Sequence, residues 1–101
     1  LDYVRGIPPV HNDAPELAVM ERAVRSVAGD DAVTEAPQSY GGDTFAWYQQ
    51  HVPGAYVRIG VRGPDDVGAP LDLHSGAFDV DESVIGLGVR VLVAATLERL
   101  G

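Results

Sequence analysis

The chain has 101 residues, a hydrophobic fraction of 46% and a formal net charge of −8, from 15 acidic and 7 basic residues. This length excludes more than one domain, and an acidic chain repels phosphate backbones, which excludes nucleic acid as a partner. The chain has no cysteine, no apolar run long enough to predict a membrane span and no signal-peptide pattern. These features favour a cytoplasmic protein.

The first third of the chain predicts a short extended piece followed by a helix. Residues 2–7 are extended and end at Pro8-Pro9, because proline fixes the backbone and removes a ladder donor. A helix is predicted over 13–28, where Asp13 caps the start and Glu16 has capping-box spacing. The apolar positions of this helix, which recur at helical spacing, are Leu17, Met20, Ala23, Val24 and Val27.

The middle of the chain predicts a short helix between two strands. Residues 32–36 are a weak strand candidate, whereas 55–61 alternate cleanly between apolar and polar positions, which is typical of a strand with one buried face. Between them, either Asp43 or Thr44 can cap a short helix over 45–51, and a Pro-Gly pair ends it.

A polar loop over 63–70 leads to the last helix, which begins near 79–82 and ends near Leu100. The acidic residues at its start suit the positive end of the helix dipole. Its wide apolar face, which predicts packing on a sheet, consists of Ile85, Val89, Leu92, Val93 and Leu97. The alternation of strands and helices along the whole chain predicts an α/β fold.

His74 is the strongest candidate for a metal ligand. It lies in a loop between predicted elements, and a neutral imidazole is a good ligand for zinc, manganese or nickel. We interpret His11 as a connector residue and His51 as a surface residue near a helix end. No paired-histidine spacing supports a site, and a metal needs three or four ligands. Spacing alone therefore leaves the ligand and the surface interpretations of His74 open.

Other patterns in the chain fail the tests for common sites. The acidic run that begins at Asp79 is not a calcium loop, because its sixth and twelfth positions are Val84 and Arg90. Ser75 lacks the nucleophile elbow of a hydrolase triad. The glycines form neither a dinucleotide fingerprint nor a phosphate loop. The aromatic residues of 40–48 lack basic neighbours, which favours a core or pocket wall.

Five blocks follow one another along the chain: Tyr3–Asp13 with its Pro-Pro-Val-x-Asn pattern, the helix at 13–28, Gly41–Tyr48, Pro53-Gly54-Ala55 with the strand after it, and Leu73-His74-Ser75 with Phe78–Glu82. In this order they resemble the closing segment of a family of metal-dependent amide hydrolases. That family includes the aminoacylases, the hippurate hydrolases and the auxin-conjugate amidohydrolases. The third block departs from the family pattern Gly-Gly-Glu-Asp-Phe, since Asp43-Thr44 stands where the family has Glu-Asp.

The resemblance implies a fold, a domain division and a site. The fold would be a fragment of a mixed-sheet, two-layer or three-layer metallopeptidase catalytic domain of α/β class. Residues 1–10 would be the end of a lid (dimerisation) domain with its connector, and 11–101 the C-terminal part of the catalytic domain. His74 would be a metal ligand, and Gly41, Gly42, Asp43 and Thr44 would form an active-site loop. The resemblance assigns no catalytic residue to this chain.

The resemblance also implies a reaction, namely hydrolysis of N-acyl amino acids or related small amides by metal-activated water. The metal would be zinc, manganese or nickel in a full-length parent, with none bound tightly by this chain. Because the general base and the other ligands are missing, and because the chain begins at Leu1, we expect an inactive C-terminal fragment. It would form a homo-oligomer or bind the missing N-terminal half. Two alternatives stay open: a non-enzymatic α/β module that acts through self-association or partner binding, and a free-standing ligand-binding domain.

Overall fold

A computed structural model describes residues 1–68 and 72–101. Within these ranges the chain forms three α-helices, which are α1 (Ala14–Ala28), α2 (Phe45–Tyr48) and α3 (Ser83–Leu100), and one 3-10 turn over Asp30–Ala32. Helices α1 and α3 pack against each other. The predicted loop over 63–70 can be followed as far as Gly68, and its last two residues lie outside the described part of the chain.

The predicted α/β fold with a mixed sheet is wrong for the described residues, because none of residues 1–68 and 72–101 forms a strand. The predicted extended piece at 2–7 and the predicted strand at 55–61 have no ladder partner, and the weak strand candidate at 32–36 begins inside the 3-10 turn. An alternating pattern selects extended backbone and two side-chain faces. A ladder additionally needs a second backbone that pairs with several residues in succession. Beside 55–61 the described residues make only isolated pairings: the Asp81 main-chain N–H donates to the Val61 carbonyl at 2.8 Å, and the Asn12 side chain pairs with the main chain of Tyr56.

The predicted boundaries of α1 are confirmed. Asp13 Oδ1 accepts a hydrogen bond from the Glu16 main-chain N–H at 3.3 Å, and the helix ends at Gly29, whose φ of +92° favours glycine. The second half of the capping box is not made. The Asp13 main-chain N–H donates to the Gly54 carbonyl at 3.1 Å, while the Glu16 carboxylate pairs with Arg99 at 3.3 Å. The start of α1 is therefore tied to two later segments.

Close packing and two ion pairs hold α1 and α3 together. The buried side chains of the two helices are Ala23 of α1, which is 1% exposed, and Val91 and Ala95 of α3, which are 8% and 9% exposed. The ion pairs join Arg22 to Glu98 and Arg99 to Glu16, and both arginine side chains are more than half exposed. Ion pairs of this kind contribute up to about 1 kcal/mol each, so the buried contacts are the larger contribution.

The predicted burial of the apolar face of α3 is wrong. Its five members, from Ile85 to Leu97, are 53–65% exposed. The helix buries a different stripe, whose members are Val84, Leu87, Val91 and Ala95. Because α3 is apolar on both sides, helical spacing alone predicts either stripe. Helix α1 covers one of the two apolar stripes of α3, so that stripe is buried and the other stays exposed to solvent.

The molecule is flat and has a large surface. It measures 50 × 42 × 19 Å, with a radius of gyration of 15.9 Å, against about 13 Å for a compact domain of 100 residues. Its accessible area is 8378 Å², about half as much again as the roughly 5,500 Å² of a folded monomer of this size. No helix in the described ranges has both the length and the hydropathy of a membrane span.

The burial of Ala23 predicts the effect of enlarging it. In Ala23→Leu three further carbon atoms must enter a position that is 1% exposed, so we expect the free energy of unfolding to fall by about 1–3 kcal/mol. Urea unfolding followed by circular dichroism at 222 nm measures this change. Ala28→Leu on the exposed part of the same helix is the matched control. Equal stability of the two variants would contradict the packing described here.

Candidate functional site

Asp43, in the predicted active-site loop, lies two residues before the start of α2 and is half-buried. Its Oδ1 accepts a hydrogen bond from the Phe45 main-chain N–H at 2.8 Å, which satisfies one of the N–H groups left free at a helix start. Thr44 occupies the cap position but makes no side-chain cap bond. Of the two caps that the sequence leaves open, the structure uses Asp43.

Tyr56 lies beside this carboxylate. The rings of Phe45 and Tyr56 are 5.6 Å apart between centroids and tilted by 44°. The pKa of Tyr56 is raised above its ordinary value of 10.0, first by the hydrogen bond between its hydroxyl and Asp43 and then by the negative charge of Asp43. Both effects favour the neutral phenol. Sequence reasoning placed Tyr56 only on the polar face of a strand, and no spacing pattern connects it to Asp43.

Two side-chain amides hold the main chain around Asp43 and Tyr56. Asn12 acts as a substitute peptide group, because its Nδ2 donates to the Tyr56 carbonyl at 2.9 Å and its Oδ1 accepts from the Tyr56 N–H at 2.7 Å. Gln49 does the same for His11, with bonds of 3.1 Å from the His11 N–H and 2.9 Å to its carbonyl. Gln49 Nε2 also donates to the Gly54 carbonyl at 2.9 Å. No local sequence pattern predicts a role for either amide.

The glycines near this cluster stand where side chains come close. A Cβ at Gly54 would lie 3.1 Å from Phe45 Cζ, and a Cβ at Gly42 would lie 3.4 Å from Ile7 Cδ1. The Gly41 main-chain N–H donates to Ser39 Oγ at 3.1 Å. Gly41 and Gly42 themselves are exposed. The loop therefore contacts Ile7 on one side and is joined to the start of α2 through Asp43, while its main chain reaches solvent.

His74 is exposed and lies in a tight turn. Its main-chain N–H donates to Asp72 Oδ1 at 2.7 Å, and the Ser75 N–H donates to the Asp72 carbonyl at 2.8 Å. The Ser75 hydroxyl accepts from the Ala77 N–H at 3.2 Å, so it forms part of the turn. Asp72 was missed by sequence reasoning, although an aspartate two residues before a turn position is a familiar signal.

The structure does not assemble a metal site from the described residues. His11 and His51 line one open cavity of about 580 Å³, and His74 is not among the residues that line it. Residues 1–68 and 72–101 contain no group of three or more histidine, aspartate or glutamate side chains that could hold a metal. Since a protein-bound transition metal needs three or four ligands, these residues alone do not fit one.

Comparison with known proteins shows the family to which the chain belongs. Residues 1–98 match the model of peptidase family M20/M25/M40, so the chain is a member of that peptidase family. The resemblance predicted from the five sequence blocks is thereby confirmed. No solved structure matches the chain.

Several curated proteins are similar to this chain. It is 48% identical over 95% of its length to a putative glutamate–cysteine ligase of Rhodococcus jostii, of which it covers 12%. It is 33% identical over 91% of its length to an IAA-amino acid hydrolase of Arabidopsis thaliana, of which it covers 19%. It is also 38% identical over 78% of its length to an N-acetylcysteine deacetylase of Bacillus subtilis, again covering 19%. The chain spans 12% to 24% of the length of the curated relatives that it matches.

The contact between Asp43 and Tyr56 predicts a titration. In Asp43→Asn the pKa of Tyr56 falls toward 10.0, because the charged acceptor that favours the neutral phenol is removed. NMR titration of the Tyr56 ring measures this shift, with Asp30→Asn as the control. Because the folded-state pKa is raised, the contact stabilises the native protein below pH 10 and is lost as the pH rises through that pKa. An unchanged Tyr56 titration in Asp43→Asn would contradict the contact.

Proposed function

We propose that this chain is the C-terminal part of a metal-dependent amidohydrolase that cleaves N-acyl amino acids or related amides. The family match over residues 1–98 carries this proposal. Two relatives support the substrate class, since their names describe the hydrolysis of amino-acid conjugates of IAA and the deacetylation of N-acetylcysteine. The ligase name belongs to a protein of which the chain matches only 12%, and the matching segment belongs to a peptidase family, so that activity is not transferred.

In this proposal the chain supplies part of a site. His74 is one ligand of the metal, which is zinc, manganese or nickel, and Gly41–Thr44 form a loop of the active site. An exposed imidazole on a turn fixed by Asp72 is open to further ligands from another part of the protein. Because the described residues hold no cluster of three ligands, the remaining ligands and the general base come from a longer polypeptide. The isolated chain then binds metal weakly and does not turn over substrate.

The exposed apolar surface of the chain supports the proposal that the chain is part of a larger protein. The exposed side of α3 carries five apolar side chains that are each more than half exposed, and contiguous apolar patches of this kind mark interaction sites. The excess area of the chain is more than the roughly 800 Å² that each partner contributes to a standard interface. We propose that the rest of the longer polypeptide covers this face, with residues 1–10 as the connector from a lid domain and 11–101 as the end of the catalytic domain.

The ligand role of His74 is tested in the full-length hydrolase. We expect His74→Ala to lower kcat/KM for an N-acyl amino acid by about 100-fold or more, and to lower the metal content, since a first ligand is removed. Metal analysis and steady-state kinetics are the measurements. His51→Ala is the control, because His51 is also exposed and has no role in the proposed site. Retention of metal and rate in His74→Ala would refute the ligand assignment.

The proposal that another part of the protein covers the exposed apolar face of α3 is tested with the isolated chain. Because α3 exposes apolar area in water, we expect the chain to associate, with a molar mass that rises with concentration in size-exclusion chromatography with light scattering. Leu92→Lys with Leu97→Lys, on the exposed side of α3, should shift the chain toward monomer. A wild-type chain that is monomeric at every concentration and unfolds cooperatively would contradict the proposal.

The alternative function is a non-enzymatic module that acts through association. The same exposed apolar area favours it. The two functions differ in the longer protein. A hydrolase loses its metal and its rate with His74→Ala, whereas a module has no N-acyl amino acid hydrolysis to lose.

A further inference from the structure

We propose that Gln49 is a positioning residue for the active-site loop Gly41–Thr44 and that it acts through helix α2. Its side-chain amide binds the C-terminal end of this helix to two other segments of the chain, while the loop is joined to the N-terminal end. This role rests on the proposed function for the meaning of the loop. The hydrogen bonds that carry it lie within the chain and do not depend on that function.

The first step is that the second half of the loop is joined to α2 by three hydrogen bonds. The Phe45 main-chain N–H donates to Asp43 Oδ1 at 2.8 Å, and the Ala46 N–H donates to the Asp43 carbonyl at 3.1 Å. The Trp47 N–H donates to the Thr44 carbonyl at 3.0 Å. Because all three donors belong to α2, a shift of this helix moves Asp43 and Thr44 with it.

The second step is that α2 depends on other parts of the chain for its position. A helix of its four residues is not stable alone, because the first turn fixes several backbone angles for one hydrogen bond. At its N-terminal end Ala46 is 0% exposed, and the Phe45 ring lies 5.6 Å from the Tyr56 ring between centroids. Trp47 and Tyr48 are 52% and 68% exposed, so burial contributes little to holding the C-terminal end.

The third step is that Gln49 holds the C-terminal end. Its main-chain N–H closes the last turn of α2 by donating to the Phe45 carbonyl at 3.2 Å. Its Oε1 accepts a hydrogen bond from the His11 N–H at 3.1 Å, and its Nε2 donates to the His11 and Gly54 carbonyls, each at 2.9 Å. Both N–H groups of the amide are therefore used. These bonds join the end of α2 to the segment before α1 and to the segment after α2.

Loss of the Gln49 amide would leave the side chains of α2 anchored mainly at Phe45 and Ala46. The helix could then turn about these two residues, and the loop that is bonded to its first turn would turn with it. A side chain that supports an active-site segment from behind in this way sets how precisely the segment is placed.

The first test uses the isolated chain and needs no activity. In Gln49→Met the side chain keeps its length and a similar helix propensity, but the three side-chain hydrogen bonds are lost. We expect amide hydrogen exchange of residues 43–49 to become about tenfold faster, while exchange in the middle of α1 stays within about twofold of the wild type. Exchange followed by NMR at each amide measures both.

The matched control for this test is Gln50→Met. Gln50 is also a glutamine, is the next residue along the chain and is exposed, so we expect its variant to exchange like the wild type. Unchanged exchange of residues 43–49 in Gln49→Met overturns the positioning role. Equal acceleration in α1 and α2 overturns it as well, because the substitution would then act on the stability of the whole chain.

The second test uses the full-length hydrolase and an N-acyl amino acid. We expect Gln49→Met to raise KM by about threefold to tenfold with kcat within about twofold, because a displaced loop binds substrate less well while the reacting groups stay in place. The Gln50→Met enzyme should match the wild type. Wild-type kinetics in Gln49→Met overturn the positioning role and leave the proposed function standing. A wild-type protein that hydrolyses no such amide refutes the proposed function, and the exchange experiment then decides whether Gln49 holds the loop.

Discussion

The hydrogen bonds between Asn12 and the main chain of Tyr56 are the constraint on which the arrangement of this chain depends. They join the segment before α1 to the extended segment after α2, at 2.7 and 2.9 Å. The adjacent bond from the Asp13 N–H to the Gly54 carbonyl extends the same junction. Because a side-chain amide carries N–H donors beside a carbonyl acceptor, it can pair with the main-chain N–H and carbonyl of one residue where no neighbouring strand does. The start of α1, the Asp43 loop and Tyr56 all meet at this point.

The second organising feature is that α3 has more apolar surface than α1 can cover. Its buried stripe includes Val91 and Ala95, while Leu92 and Leu97 on the other side are more than 60% exposed. A helix that is apolar on both sides is typical of the interior of a larger protein. The flat shape and the large accessible area have the same origin, because 101 residues are spread over two helices and long extended segments. The membership in the peptidase family and the small fraction of each relative that is matched agree with this physical account.

Local features of the fold could be predicted from the sequence, and long-range pairing could not. The cap at Asp13 and the stop at Gly29 are set by residues within one turn of the helix, and both are confirmed. The prediction of a strand over 55–61 was wrong because an alternating pattern is a property of one segment, whereas a sheet requires two segments whose main chains pair. The prediction of the buried side of α3 was wrong because the sequence has two apolar stripes, and only the position of α1 decides which is buried.

For the site, His74 and the loop at 41–44 followed from the resemblance. Tyr56, Asn12 and Gln49 act across 13, 44 and 38 positions of sequence, beyond any local pattern.

The use of amides as substitute peptide groups has a consequence for the chemical ageing of this protein. Asn12 and Gln49 are thermolabile residue types, and loss of the amide nitrogen by deamidation turns a donor into an acceptor. At Asn12 the new carboxylate oxygen would face the Tyr56 carbonyl, which the lost Nδ2 had bonded at 2.9 Å. Two acceptors would then meet where a donor and an acceptor met before. A change of about one mass unit, with no change in the shape of the side chain, would therefore open the junction between the two halves of the chain. Old preparations of the protein would be expected to lose this junction before they lose the helices.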